Sequence, residues 1–314
     1  MADPLLQVTD LKKYFFQGKA TVKAVDGVSF QIDRNETFGM VGESGSGKTT
    51  VARAVLRLHE PTSGKVAFEG RDVLALSSRE MRALRREMQI IFQDPLSSLN
   101  PMMSVGAIIE DALRIHGIGT KAEREREVRR LLDLVGVGQR FYHAFPHEFS
   151  GGQQQRVGIA RALALRPKFI VCDEPVSSLD LSIQAQILNL LEELQDRFGL
   201  AYLFISHNLR VVEHLSGAVG VMYLGRLVEV GATEAIYRRP AHPYTQVLLA
   251  SAPQMDPAAR SRRVLLEGEA PSPMNPPSGC PFHPRCPHRM ARCSEETPVL
   301  KQIEPGHQAA CFLT

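Results

Sequence analysis

Gly42-Glu43-Ser44-Gly45-Ser46-Gly47-Lys48-Thr49 fits the pattern G-x-x-x-x-G-K-T, between the apolar stretch Thr37 to Val41 and the helical run Thr49 to Leu58. A strand thus delivers a glycine loop to a helix N-terminus. Glycines let backbone N–H groups close around phosphate oxygens, and the positive end of the helix favours the anion. Lys48 is placed to reach the β and γ phosphates of a nucleotide, and the Thr49 hydroxyl to hold Mg²⁺. The competing reading is a glycine turn that merely opens a helix.

Working outward, apolar Phe169-Ile170-Val171-Cys172 runs into Asp173-Glu174-Pro175, a buried strand ending in two carboxylates. Ligands of open α/β sheets bind at that strand end. Asp173 is the expected Mg²⁺ holder, and Glu174 the expected base that polarises the water attacking the γ-phosphate. An acidic pair at a strand end is weak evidence alone; downstream of a phosphate loop it gains meaning. Cys172, inside this strand, reads as a small hydrophobe.

With Gln93, Ser150-Gly151-Gly152-Gln153, Ser178-Leu179-Asp180 and His207 following in order, the chain resembles the ATP-binding cassette (ABC) family. That resemblance implies that Gln93 is the Q-loop glutamine near Mg²⁺ and that Asp180 is the D-loop aspartate at a dimer contact. It implies that His207, after the strand-like Ala201 to Ser206, contacts the γ-phosphate. It also implies an aromatic that stacks on adenine, for which Phe15 is chosen and Tyr14 is second. Thr50 joins the loop residues Gly42 to Thr49 as a nucleotide contact. Ser150, Gly151, Gly152 and Gln153 would reach ATP held by the phosphate loop of a second cassette, so that ATP joins a head-to-tail dimer. Two residues depart from the pattern: Gln154 replaces a frequent basic residue, and Asn208 replaces a common Asp.

At 314 residues and 44% hydrophobic, the chain has material for one large or two moderate domains. There is no run of about eighteen uncharged apolar residues, and Met1-Ala2-Asp3-Pro4 lacks the basic and apolar regions of a secretory signal, so the expectation is a chain neither secreted nor membrane-spanning. A net charge of +3 gives no electrostatic footprint for nucleic acid. Arg260, Arg262 and Arg263 read as a solvated linker or as a patch attracted to anionic lipid heads.

The fold class expected is α/β: a P-loop NTPase core with a mixed or parallel sheet, an inserted helical subdomain, and a small Cys- and Pro-rich C-terminal extension. Strands are expected at Leu5 to Val8, Val22 to Ile32, Thr37 to Val41, Lys65 to Phe68 and Gln89 to Phe92. Residues 94–165 read as helical, with Val128, Leu131, Leu132 and Val135 on one face of Lys121 to Val135. Ser182 to Phe198 reads as a helix burying Ile183, Ile187, Leu190, Leu191 and Leu194. Val219 to Tyr223 and Leu227 to Gly231 read as a hairpin around Gly225, before a helix from Thr233. The nucleotide-binding domain is expected over 1–240 and the extension over 241–314. His143 and His147 have helical metal-pair spacing, but Pro146 between them disfavours a continuous helix.

Ala241-His242-Pro243-Tyr244-Thr245, the stretch Gly268 to Pro273, and Pro277-Ser278-Gly279-Cys280 resemble the C-terminal extension of dipeptide and oligopeptide permease ATPases, above all the second ATPase subunit of dipeptide systems. Cys280, Cys286, Cys293 and Cys311 are separated by five, six and seventeen residues, among prolines that impose loops. In a reducing compartment these are metal ligands or free thiols. Four sulfurs suit zinc, with His283, His288 or His307 as further ligands, or an iron–sulfur cluster. The resemblance implies a 4Fe-4S cluster.

The resemblance further implies a peripheral ATPase on the cytoplasmic face of the inner membrane, powering peptide import. Its implied partners are two transmembrane permease subunits, a second ATPase that makes a heterodimer, and, indirectly, an extracytoplasmic peptide-binding protein. Nickel, glutathione or oligosaccharide are alternative cargoes. Rival readings are a soluble ABC ATPase acting on ribosomes or DNA, which would usually carry two cassettes or a long coiled-coil insertion, and a scaffold subunit with idle motifs.

Overall fold

A computed structural model describes residues 3–18, 20–251 and 271–314. The basic run Arg260, Arg262 and Arg263 and the residues Gly268 to Ala270 lie outside the described residues. Strands are β1 (Leu6–Gln17), β2 (Ala20–Ile32), β3 (Thr37–Val41), β4 (Ser63–Phe68), β5 (Arg71–Asp72), β6 (Met88–Ile91), β7 (Phe169–Asp173), β8 (Ala201–Ser206), β9 (Ala218–Tyr223), β10 (Arg226–Ala232), β11 (Lys301–Glu304) and β12 (His307–Ala309). Helices are α1 (Lys48–Val55), α2 (Ser78–Leu84), α3 (Pro95–Ser98), α4 (Val105–Ile115), α5 (Lys121–Leu134), α6 (Gly151–Leu163), α7 (Leu181–Phe198), α8 (Leu209–Leu215), α9 (Thr233–Arg238), α10 (Pro243–Ser251) and α11 (Ala291–Glu295). The chain forms two compact units, Met1–Leu74 with Phe204–Thr314, and Ala75–Leu203.

In the first unit, β1 pairs antiparallel with both β2 and β4, and β5 pairs with β4. The strand expected to stop at Val8 runs on to Gln17, because bulges near Leu11 and Lys13 break the apolar alternation that the sequence reading relied on. In a second sheet β3 lies parallel to β9, and β9, β10, β12 and β11 follow antiparallel, so the sheet is mixed. All five residues of β3 are buried, as a strand covered on both faces requires. Helix α1 ends three residues before the expected Leu58, since Arg57 turns to φ 50°. The hairpin around Gly225 forms with Arg226 opposite Tyr223.

The second unit holds the parallel pair β6 and β7. Its helices begin at side-chain caps that sequence patterns mark: Ser77 for α2, Ser104 for α4 and Thr120 for α5. Val128, Leu131, Leu132 and Val135 are all buried, as is the α7 stripe Ile187, Leu188, Leu190, Leu191 and Leu194. Ile183, expected in that stripe, is only half-buried and packs near Gly152 instead. Strand β8 starts beside β7, with the Ala201 amide donating to the Lys168 carbonyl at 3.0 Å. Among the described residues no helix is long and apolar enough to cross a membrane.

Candidate functional site

Residues 42–49 leave buried β3 and enter α1 at Lys48. Gly47 has φ 106°, and a Cβ there would sit 2.1 Å from the Ala24 carbonyl oxygen, so only glycine fits. At Gly42 the same atom would meet the Met222 carbonyl at 2.2 Å. The loop is thereby seated against the interior of β2 and the end of β9. Lys48 is 4% exposed, and its Nζ donates to the carbonyls of Gly42 and Glu43, both at 2.9 Å. This arches the lysine over its own loop. Ser44 and Gly45 are exposed at the crest, while Thr49 and Thr50 lie half-buried in the first turn of α1. Glycine backbone, helix N-terminus and enclosed ammonium are the parts of a polyphosphate cradle.

Of the two candidate adenine platforms, Tyr14 is tethered. Its hydroxyl donates to Asp26 Oδ1 at 2.5 Å, and Arg226 holds the other oxygen at 2.5 Å. Burial, then the hydrogen bond and charge of Asp26, push the Tyr14 phenol up to about 12. Burial opposes ionisation of Asp26, but Tyr14 and Arg226 outweigh it and leave its carboxyl below the usual range. Phe15 has no polar anchor: it meets His59 edge-on at 5.6 Å, under the Lys13 ammonium at 4.9 Å. Phe16, which the sequence reading passed over, is 70% exposed. A strand continued beyond Val8 would have been the signal for it.

In the second unit, Asp173 ends β7 and is 2% exposed. Glu174 follows with φ 47°, an uncommon conformation for a residue other than glycine, which turns its side chain out of the strand. Gln93 Nε2 donates to Glu174 Oε2 at 3.2 Å, so the structure brings Gln93 to the expected base. Asp94 caps α3 through Leu96, and Arg161 donates to the Ser98 carbonyl at 2.5 Å, fastening the segment after Gln93. Leu96 and Met102 there are 51% and 84% exposed.

Ser150 and Gly151 are exposed at the start of α6, where Gln153 Oε1 accepts from the Ser150 amide at 3.0 Å. Gln154 is buried, and its Nε2 donates to the carbonyls of Pro146 and Phe149. That departure from the family pattern is an anchor for the turn in front of Ser150. A Cβ at Gly152 would lie 2.5 Å from Ile183 Cγ2, and one at Gly151 3.3 Å from Leu179 Cδ2. Gly151 and Gly152 therefore pack on the segment around Asp180, which is exposed at the start of α7. In the first unit, His207 is exposed after β8, and Asn208 caps α8 by accepting from Arg210, as an Asp would. His143 and His147 lie on separate short 3₁₀ turns.

Of the five cysteines, Cys172 is fully buried, and burial, then nearby Asp173, hold its thiol far above the usual range. The four in the extension are free; burial first, and then the charges of neighbouring cysteines, push up the thiols of Cys280, Cys286 and Cys311, for Cys280 to about 11. Backbone N–H groups of Phe282, His288 and Leu313 point at the sulfurs of Cys280, Cys286 and Cys311. Cysteine sulfurs that receive N–H hydrogen bonds, here Cys280 buried and Cys286 and Cys311 half-buried, are the donor type an iron–sulfur cluster uses. Among the described residues no group of three His, Cys, Asp or Glu side chains is arranged to hold a single metal ion. His307, one of the histidines considered for zinc, has its Nε2 committed to Glu229 at 2.7 Å, and His283 has its Nδ1 against the Cys280 carbonyl at 2.9 Å.

Two features escaped the sequence reading. Glu229, in the middle of β10 and 0% exposed, accepts from the Ala241 and His242 amides and from His307. A charged residue inside an apolar strand was the available signal. The second is Glu43, read only as a loop position. Its amide donates to Tyr244 Oη at 2.9 Å and its carboxylate takes both Arg285 terminal nitrogens, at 2.9 and 3.2 Å.

A phosphate cradle on a mixed α/β sheet, together with an acidic strand end and the Ser150-Gly151-Gly152-Gln153 turn into α6, defines an ATP-hydrolysing cassette. Residues 25–177 match the family model described as ABC transporter, and residues 228–293 the one described as Oligopeptide/dipeptide transporter, C-terminal region. A putative peptide import ATP-binding protein of Brucella ovis is 55% identical over 98% of both chains. The putative oligopeptide transport ATP-binding protein YkfD of Bacillus subtilis is 53% identical over 99% of this chain and 95% of its own. The dimeric ATP-binding cassette MJ0796 bound to ADP and Pi superimposes with a TM-score of 0.67, at 27% identity, over 73% of this chain and 98% of that one. The chain belongs to the ABC transporter family and is an ATPase of it.

Proposed function

We propose that this ATPase energises the import of di- or oligopeptides through a membrane permease. The observation that carries the reading is the joining, in one chain, of an intact phosphate loop to an extension matching the oligopeptide/dipeptide transporter region. Residues 1–240 form the cassette, 94–165 its helical part, and 241–314 the extension. Exposed Leu96 and Met102, beside the Gln93 segment, suit apolar contact with a permease at the cytoplasmic face of the membrane. Two permease subunits, a second and different ATPase subunit, and an extracytoplasmic binding protein complete the assembly. Nickel, glutathione and oligosaccharide remain the alternative cargoes, because this chain contacts the permease and not the cargo.

The residues divide the chemistry among them. Lys48 and the amides of residues 43–49 bind the β and γ phosphates, and Phe15 stacks on adenine. Thr49, Asp173 and Gln93 would hold Mg²⁺, which would supply positive charge at the phosphate oxygens. Glu174 accepts a hydrogen bond from the attacking water and takes its proton as the oxygen bonds to the γ-phosphorus. The bond from that phosphorus to the bridging oxygen breaks, leaving ADP and phosphate, and His207 steadies the γ-phosphate. Gln93, already hydrogen-bonded to Glu174, fixes the rotamer of the base. Ser150, Gly151, Gly152 and Gln153 cap the γ-phosphate bound to the partner cassette, with Asp180 at the contact, so hydrolysis removes the bridge between subunits.

Cys280, Cys286, Cys293 and Cys311 would hold a 4Fe-4S cluster; the N–H hydrogen bonds to the sulfurs of Cys280, Cys286 and Cys311 support this. Such a cluster would supply the positive charge that keeps these four thiols deprotonated. Anaerobic purification followed by iron and acid-labile sulfide assays is expected to find both, and absence of both removes the cluster. The transport reading is tested by tagging the chain in its native membrane and identifying what co-purifies. Two permeases, another cassette ATPase and a peptide-loaded binding protein are expected, whereas ribosomal or DNA-bound partners without a permease would overturn it.

A further inference from the structure

Glu43 is the second residue of the phosphate loop, and every polar group it owns is engaged. Its carbonyl accepts from Lys48 Nζ at 2.9 Å and from the Ser46 amide at 3.2 Å. Its amide donates to Tyr244 Oη, and its carboxylate grips Arg285 bidentately. The first two bonds are internal to the loop; the last two come from the C-terminal extension.

Both outside partners are built to stay where they are. Tyr244 is 0% exposed, with its ring centroid 4.6 Å from Tyr223 and 5.3 Å from Phe282. The neighbouring His242 accepts the Tyr244 amide at its Nδ1, at 3.0 Å, which sets the first turn of α10. The Arg285 side chain is 8% exposed and its backbone is pinned by a bond from its amide to the Phe282 carbonyl at 3.0 Å. A bidentate guanidinium–carboxylate pair fixes orientation as well as distance, more so with little water around it. Burial works against the Arg285 charge, but the Glu43 hydrogen bonds and charge outweigh it and hold the guanidinium above its usual range.

We propose that Tyr244 and Arg285 are positioning residues of the ATP site: they clamp Glu43 from the extension and so hold the phosphate-loop backbone and Lys48 in the arrangement that receives a nucleotide. The extension is then a working part of the ATPase. Neither residue touches the nucleotide; each acts through Glu43. The proposal rests on the reading of residues 42–49 as the phosphate-binding loop.

The test uses the full-length chain, with ATP–Mg²⁺ affinity measured by calorimetry and melting followed in the absence of nucleotide. Arg285→Ala is expected to weaken ATP binding about tenfold, and Arg285→Lys, which keeps the charge and loses the fork, about threefold. Tyr244→Phe keeps the ring stack and loses the acceptor for the Glu43 amide; it is expected to weaken binding about threefold with melting little changed. Because the pair acts as a unit, the double variant Arg285→Ala/Glu43→Gln should bind no more weakly than the poorer single variant. In the assembled transporter the change should fall on KM for ATP more than on kcat. Folded Arg285→Lys and Tyr244→Phe proteins with wild-type ATP affinity would overturn the clamp, as would full additivity in the double variant. If Arg285→Ala does not fold, those two conservative variants decide. Lys48→Ala separates the premise from the proposal: loss of binding supports the loop assignment, and retained binding removes that assignment itself.

Discussion

Replacing Glu229 by Gln changes one atom in a site with no solvent access, and the structure sets the size of the effect. Oε1 receives the Ala241 amide at 2.8 Å and His307 Nε2 at 2.7 Å, while Oε2 receives the His242 amide at 2.9 Å. A glutamine offers one acceptor oxygen and one NH₂ group, so in either orientation at least one of these donors faces another donor. With the amide oxygen in the Oε1 position, the His242 N–H is orphaned. An unsatisfied buried donor costs about 1–3 kcal/mol, and the two surviving bonds also weaken when the acceptor loses its charge, for a total of about 2–4 kcal/mol. At roughly 2 °C per kcal/mol for a chain of this size, the melting temperature should fall by about 4–8 °C. Scanning calorimetry of the full-length protein measures it, with the exposed-pair variant Arg238→Ala as a reference that should shift by less than about 1 °C. A Glu229→Gln protein that melts with the wild type would refute the argument that this carboxylate ties β10 to both 241–242 and β12.

Glu174→Gln should preserve ATP binding while lowering turnover in the assembled transporter by about 10²–10⁴-fold, since it removes the proton acceptor and keeps the shape; phosphate release assays beside nucleotide binding would show it. Gly152→Ala puts a methyl 2.5 Å from Ile183 Cγ2 and should impair ATP-driven dimerisation, measured by gel filtration with Glu174→Gln in the background, while adding Ile183→Ala should restore it; failure of that rescue would discard the steric explanation. Burial holds neutral His242 down to about 4 against a usual value near 6.5, so the unfolded chain binds this proton more readily than the folded one. Its contribution is therefore intact above about pH 6.5 and is lost progressively down to about pH 4, amounting to roughly 3 kcal/mol. His242→Asn should flatten that part of the stability–pH curve in denaturant titrations, and an unchanged slope would count against the assignment.

The pattern of residues 42–49 made the cradle legible because its chemistry is local: glycines, lysine and strand–helix context all lie within one stretch of chain. Periodicity likewise revealed the buried faces of α5 and most of α7. It failed at Ile183, whose neighbour is a glycine far along the chain, and at β1, where bulges shift the alternation. The meeting of Gln93 with Glu174 could be inferred only by family resemblance, since 81 residues separate them. Glu43 and Glu229 stayed hidden for the same physical reason. Their partners, Arg285 and His307, are 242 and 78 residues away, and no spacing rule reports such a pair. Gln154 looked like a departure from pattern until its two backbone carbonyl partners came into view.

The short strands β12 and β11 have a further consequence. By pairing with Glu229, Val230 and Gly231, β12 occupies hydrogen-bonding groups along β10 that would otherwise form an open sheet margin. Unpaired margins of this kind recruit strands from other molecules. The last strand is instead β11, four residues long, bearing Lys301 and Glu304, with Pro305 directly after it. Brevity, charge and a nearby proline are the features that discourage further strand addition. A cassette shortened before residue 301 would bare that margin, and its first failure in a crowded cell would be self-association during synthesis.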